Sequence, residues 1–280
     1  MKLFRYGPVG QERPGIIDAN GVMRSLYPVI REIDDVALSP EGLDFLRAVD
    51  GTKLPRVPAG VRLGVPVSNV RSVVAIGLNY TDHAREASMA IPTEPVVFNK
   101  ATSSLTGPND DIILPRGSTK TDWEVELAIV VGSAVSNVSE QDAQAAIAGF
   151  CLVNDVSERE WQLERNGQWG KGKSFNTFTP LGPWLVTPDD VDHAKNLTLT
   201  LSVNAVQRQC GNTSDMIFPV NRIISYVSSF MALQPGDLII TGTPAGVGMG
   251  MKPPVYLRDG DVIDMAITGL GTQKHQVVAQ

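Results

Sequence analysis

The stretch TDWEVELAIVV, Thr121 to Val131, decides how this chain reads. Trp123, Val125, Leu127, Ile129 and Val131 fall at every second position, the period of a half-buried β-strand. The positions between them carry Asp122, Glu124 and Glu126 before turning apolar at Ala128 and Val130. Side chains at i and i+2 leave a strand on the same side, so Glu124 and Glu126 point together. Two adjacent carboxylates repel each other unless a cation lies between them. A divalent ion resolves the conflict, and hard oxygen donors suit Mg²⁺, Mn²⁺ or Ca²⁺ rather than a zinc site built from Cys and His. Taken alone, the pair also fits an edge strand with a solvated acidic face, which is the commoner setting.

Outward from this strand, 26 glycines and 19 prolines are spread along the chain, favouring many short strands joined by turns. MKLFRYG and GIIDANGVM read as small β elements with Asn20-Gly21 as a hairpin turn. SPEGLDFLRAV reads as a helix with Ser39 as N-cap and Pro40 in the first turn. The Pro/Gly-rich run 51–67 marks a boundary between a small N-terminal α/β domain, residues 1–66, and a main domain, 67–280. In the main domain VVAIGLNY, PVVFNK, CLVNDVS, LTLTLSVNA, GDLIITG and GDVIDMAITG read as strands. TDHAREAS and SEQDAQAAIAGF read as helices, the second capped by Ser139. FPVNRIISYVSSFMAL reads as an amphipathic helix with Ile223, Ile224, Val227 and Phe230 on one stripe. The expected class is predominantly β (α+β), not a doubly wound βαβ sheet.

A net charge of −6 argues against nucleic-acid partners and against anionic membranes. The start MKLFRYGPVG has no apolar signal core, and no apolar run is long enough to cross a bilayer. The two cysteines, Cys151 and Cys210, form neither a CxxC motif nor a disulfide framework. A cytoplasmic setting is the expectation.

Further constellations carry chemistry. Asp155 in VNDVSERE follows an apolar run, where it could serve as a third metal ligand or as a turn residue. In a short helix His83 and Glu86 share a face, and a carboxylate there can hold an imidazole in one tautomer as a general base needs. The same pair also fits an exposed surface helix. Lys171 and Lys173 lie among aromatics, glycines and prolines, where a lysine can donate to a developing anion. TGTPAGVG has neither a Walker loop nor a dinucleotide fingerprint and reads as a tight turn, with Thr243 available to a ligand.

In order along the chain, IGLNYTDHAREA, GPNDDIILP, DWEVELAIVVG, NDVSERE, GKSFNTFTPLGPWLVT and LQPGDLIITGTPAGVG resemble the fumarylacetoacetate hydrolase superfamily from about residue 70 to the C-terminus. The resemblance implies a mixed β-sandwich roll and a homodimer or homotetramer. It also implies Mg²⁺- or Mn²⁺-dependent cleavage of a small 2-oxo or 2,4-dioxo acid. By position it implies Glu124, Glu126 and Asp155 as metal ligands and His83 and Glu86 as a catalytic dyad on a mobile lid helix. Lys173 would contact substrate, with Arg159, Gln162 and Thr243 binding the substrate's carboxylate or keto group. Asn176 stands where many members have Asp, and Glu158 where many have Ala. The opening RYGPVGQERPGIIDANG and the run VGMGMKPPVYL resemble the branch of 2,4-diketo-3-deoxy-L-rhamnonate and -fuconate hydrolases. That branch releases pyruvate and lactate in sugar-acid catabolism. Oxaloacetate-type decarboxylation, 2-oxo acid hydration or isomerisation, and a non-catalytic metal-binding role are the alternatives.

Overall fold

The structure, a computed structural model, describes residues 1–280. The turn at Asn20-Gly21 joins β2 to β3 in a meander of β1 (Lys2–Tyr6), β2 (Arg13–Ile17) and β3 (Met23–Ser25). The Asp18 side chain fixes that turn by accepting from the Asn20 and Val22 N–H groups at 2.9 Å each. After α1 (Asp35–Leu38), Ser39 caps α2 (Pro40–Arg47) by accepting from the Gly42 N–H at 3.0 Å. Next come β4 (Leu63–Gly64), β5 (Val73–Gly77), α3 (Thr81–Glu86), β6 (Val96–Lys100), β7 (Leu105–Thr106) and β8 (Ile112–Leu114). The central run is β9 (Thr121–Asp122), β10 (Val125–Val131), β11 (Ile147–Asn154) and β12 (Ser157–Glu158). Then follow α4 (Trp169–Lys173), β13 (Thr179–Val186), β14 (Thr198–Val203), β15 (Val206–Asn212) and α5 (Val220–Ser228). β16 (Leu238–Ile240), β17 (Val262–Ile267) and β18 (Gly271–Ala279) end the chain. The predominantly β, α+β class expected from the sequence holds.

The large sheet runs β3-β2-β1-β13-β11-β10-β16-β5-β6, with β4 beside β1 and β7 beside β13. A second sheet runs β15-β14-β17-β18-β8. The quoted stretch lies centrally between β11 and β16, and its two faces serve different cores. Trp123, Val125, Leu127, Ile129 and Val131 join a cluster of 35 buried residues that includes Leu199, Leu201, Ile263 and Met265 of the second sheet. Ala128 and Val130 join a cluster of 20 on the opposite face, with Leu3, Leu26 and helix residues Leu38, Leu43 and Leu46. So the strand is buried on both faces, not half-buried. It is also interrupted at Trp123–Glu124, where side chains replace the ladder. Asn154 Oδ1 accepts from the Glu124 N–H at 3.1 Å and Gln209 Oε1 from the Val125 N–H at 2.9 Å.

Two further expectations need correction. The Ser139 segment forms only a 3₁₀ turn at Ala143–Ala146, because Ile147–Phe150 are taken into β11 by pairing with β10. α5 ends at Ser228, so Phe230 leaves the buried stripe of Ile223, Ile224 and Val227 and is exposed. The segment 1–66 places β1 against β13, with Leu3 opposite Leu185, and shares the 20-residue core with the rest of the chain. No helix is long and apolar enough to cross a membrane.

Candidate active site

The face of the large sheet that holds the smaller core becomes polar at one end. On β10 the sequence Val130, Ala128 continues to Glu126 and, beyond the strand, Glu124. On β11 Cys151 and Val153 continue to Asp155, and on β16 Leu238 and Ile240 continue to Gly242. Period-2 alternation on the adjacent strands β10 and β11 therefore delivers the three acids to one place, and β16 brings the Gly242 backbone beside them. One carboxylate oxygen from each of Glu124, Glu126 and Asp155 lies within 4.8 Å of the others, and all three side chains are buried.

Their electrostatics differ. Lys173 Nζ donates to Glu124 Oε2 and to Asp155 Oδ2, each at 2.7 Å. Arg159 Nη2 lies 2.7 Å from both Glu124 Oε1 and Asp122 Oδ2. Lys100 Nζ donates to Asp155 Oδ1 and, at 2.8 Å, to the Phe178 carbonyl. Burial opposes ionisation of Glu124, but Lys173 and Arg159 override it and hold its carboxyl well below the usual range. Burial likewise opposes charge on Lys173, but Asp155 and Glu124 keep its ammonium form favoured. At Lys100 burial prevails over Asp155 and pushes the pKa down. Glu126 has no cation partner; its one bond is from the Gly242 N–H at 2.6 Å. Burial, with the charges of Asp155 and Glu124 added, raises its pKa well above the usual range. Three cations thus face four buried carboxylates, counting Asp122. An all-carboxylate donor set with one member lacking a counter-charge fits a hard divalent cation.

Helix α3 places His83 and Glu86 over this cluster. His83 Nδ1 lies 3.3 Å from Glu86 Oε2, and both Glu86 oxygens accept from the Gly246 N–H at 3.0 and 3.1 Å. The following turn is tied in turn to Asp122, which accepts from Gly248 N–H at 2.7 Å and Met249 N–H at 3.0 Å. The glycine-rich loop is thus more than a turn: it holds Glu86 through Gly246 and Glu126 through Gly242.

A cavity of about 220 Å³ is lined by His83, Glu124, Glu126, Asp155 and Lys173, together with Arg159, Gln162 and Thr243. All nine residues expected from the sequence are brought together except Glu86, which stands behind His83. Some are already engaged. Thr243 donates to the Val125 carbonyl at 2.9 Å and accepts from Gln209 at 2.7 Å. Arg159 Nη1 donates to Gln162 Oε1 at 2.9 Å, which leaves the Gln162 amide nitrogen without a protein partner. Lys171 bonds the Arg165 carbonyl at the surface. Asn176 is exposed, and Glu158 is buried as an acceptor for the Trp161 N–H at 2.9 Å; neither lines the cavity. Sequence reading missed Lys100 and Asp122. The available signal was parity, since Lys100 shares a strand face with cavity residue Phe98.

Residues 72–278 match the family described as fumarylacetoacetate (FAA) hydrolase C-terminal. The chain belongs to the fumarylacetoacetate hydrolase family. A Burkholderia ambifaria protein, named only as a presumed hydrolase, is 55% identical over 274 residues, covering 98% of this chain and 97% of that one. The fumarylacetoacetate hydrolase of Exiguobacterium antarcticum superposes with a TM-score of 0.89 at 38% identity, over 100% of both chains. Maleylpyruvate hydrolase from Sphingobium sp. SYK-6, solved with manganese(II) and pyruvate, gives 0.80 at 29% identity over 100% of this chain and 99% of that one. This family fold accounts for the extended sheets and sparse helices of the chain.

Proposed function

We propose that the protein hydrolyses the C3–C4 bond of a 2,4-dioxo acid, an acylpyruvate, to pyruvate and a carboxylic acid. The observation that carries this reading is one cavity shared by a hydrogen-bonded His–Glu pair, a buried lysine and the three-carboxylate cluster. A Mg²⁺ or Mn²⁺ ion held by Glu124, Glu126 and Asp155 would supply a Lewis acid at the 2-oxo acid end of the substrate. His83, its ring held by Glu86, takes a proton from water as the water oxygen attacks C4. The C3–C4 bond breaks, its electron pair passes to the pyruvate enolate, and a proton returned to C3 completes pyruvate. Lys173 uses two of its three donors on Glu124 and Asp155, and the third is free to meet the enolate oxygen. In this reading Arg159 holds the substrate carboxylate, and Gln162, whose oxygen accepts from Arg159, keeps its amide nitrogen for the acyl end. The bound pyruvate of the manganese-containing relative supports this reading. The finer assignment is 2,4-diketo-3-deoxy-L-rhamnonate or -fuconate, whose acyl part leaves as lactate.

The test is turnover of a 2,4-dioxo acid panel and oxaloacetate with Mn²⁺ in ¹⁸O-water. Hydrolysis places label in the carboxylate of the released acid. His83→Ala should lower that rate by about 10²–10⁴-fold. Carbon dioxide and pyruvate from the best substrate, with His83→Ala retaining most of the rate, would make the protein a decarboxylase instead.

A further inference from the structure

Besides the carboxylates and their cations, the cavity is lined by apolar side chains. The Phe98 ring centroid lies 5.4 Å from Lys173 Nζ, and its ring meets Trp169 edge-on at 5.4 Å. Trp169 in turn lies against Gly77, where a Cβ would come within 2.4 Å of the indole. The missing side chain at Gly77 is what makes room for the indole against β5. Met89, Leu163 and Met249 also line the cavity and count with Phe98 and Trp169 as its apolar wall.

Three groups able to carry positive charge line the cavity, and each already has a carboxylate. His83 is held by Glu86 at 3.3 Å, Arg159 by Asp122 and Glu124, and Lys173 by Glu124 and Asp155. Of the three, Lys173 lies over the Phe98 ring of the apolar wall, and its one remaining donor is assigned to the enolate oxygen. Resting on the acylpyruvate reading, the geometry points to this wall as the subsite for the acyl end of the substrate. It takes a short, uncharged and largely apolar acyl group, with Trp169 as the selecting residue. A maleyl or fumaryl group ends in a carboxylate, which would be buried here without a partner and so disfavoured. Methyl and methylene groups gain from leaving water against the aromatic faces. A single hydroxyl fits as well, because the Gln162 amide nitrogen is an uncommitted neutral donor. The cavity of about 220 Å³ also limits the acyl chain to a few carbons.

Binding, rather than turnover, tests the subsite separately from the reaction. The Mn²⁺-loaded protein is titrated calorimetrically with 2-oxohexanoate and with 2-oxoadipate, which share a carbon chain and differ at its far end. The uncharged acid should bind at least about tenfold more tightly. Trp169→Ala should bring the ratio of the two dissociation constants toward one, and Trp169→Arg should invert it. Leu163→Arg, at a partly exposed position of the same wall, repeats the inversion test if a tryptophan variant does not fold. Equal or tighter binding of 2-oxoadipate by the unaltered protein would overturn the subsite, as would an unchanged ratio in the variants. The preference with no cleavage of any dioxo acid would sink the hydrolase reading and leave the subsite standing. Cleavage of maleylpyruvate with no preference would do the reverse.

Discussion

Glu126 is the one member of the acidic cluster whose charge meets no cation. Its pKa, raised first by burial and then by Asp155 and Glu124, lies above its value in the unfolded chain. The sign follows from linkage: a raised acid stabilises the fold while its proton is on, and that contribution is lost as pH rises through the folded value. Above the ordinary carboxylate range the metal-free protein therefore carries strain that Glu126→Gln removes. We expect Glu126→Gln to raise Tm in chelator by about 2–4 °C for each kcal/mol relieved, and to lose the further rise that Mn²⁺ gives the unaltered protein. Scanning calorimetry at acidic and alkaline pH decides it; a variant less stable than the parent in chelator at alkaline pH would show that the strain lies elsewhere. Glu126 was legible in the sequence for the reason that makes it strained, since the strand period forces it beside Glu124. The His83–Glu86 pair was legible from helical spacing. Lys100 was not, because a lysine closing a strand reads as solvated, and only the curl of the sheet carries edge strand β6 back to Asp155.

At the scale of elements, helix α3 depends on a glycine. Gly246 has φ +108°, and a Cβ there would come within 2.0 Å of the Arg208 carbonyl oxygen. Its N–H is the backbone anchor of Glu86, and Glu86 is the anchor of His83. Gly246→Ala must shift the loop, so Glu86 loses its partner and the imidazole its orientation. The expected result is a loss of about 10²-fold in kcat with substrate binding less affected, together with faster amide exchange across Thr81–Glu86. Unchanged exchange in that helix with intact kcat would mean that the loop does not hold it. Loop anchors of this kind escape sequence reading, since TGTPAGVG shows that a turn exists and not which side chain its N–H groups face. Elements with local signals, the Ser39-capped α2 and the Asn20-Gly21 hairpin, were readable. The Ser139 segment misled because alanine and glutamine favour a helix, while pairing with β10 draws Ile147–Phe150 into a strand.

For the whole molecule, the open point is whether residues 1–66 fold as a domain of their own, as the Pro/Gly-rich run before residue 67 suggests. The family match begins at residue 72, which fits such a division. The contacts point the other way. Removing β1 would open the outer edge of β13, and removing α1 and α2 would take Leu38, Leu43 and Leu46 out of the buried cluster they share with Ala128, Val130, Ala148 and Cys151. Those residues form the apolar continuation of the face that carries Glu126, Asp155 and Gly242, so the N-terminal segment covers the base on which the site is built. An interface of buried leucines and valines, rather than a polar seam, predicts one cooperative unit. Native-state hydrogen exchange should then show the slowest amides of β1 and β2 opening with the same free energy and denaturant dependence as those of β10 and β13. Mn²⁺ should slow all four strands together, because binding to the folded state alone stabilises every amide that exchanges through global unfolding. If β1 and β2 instead open several kcal/mol below β10, with a shallow denaturant slope and no response to Mn²⁺, residues 1–66 are a separate domain and the shared core does not couple them to the site.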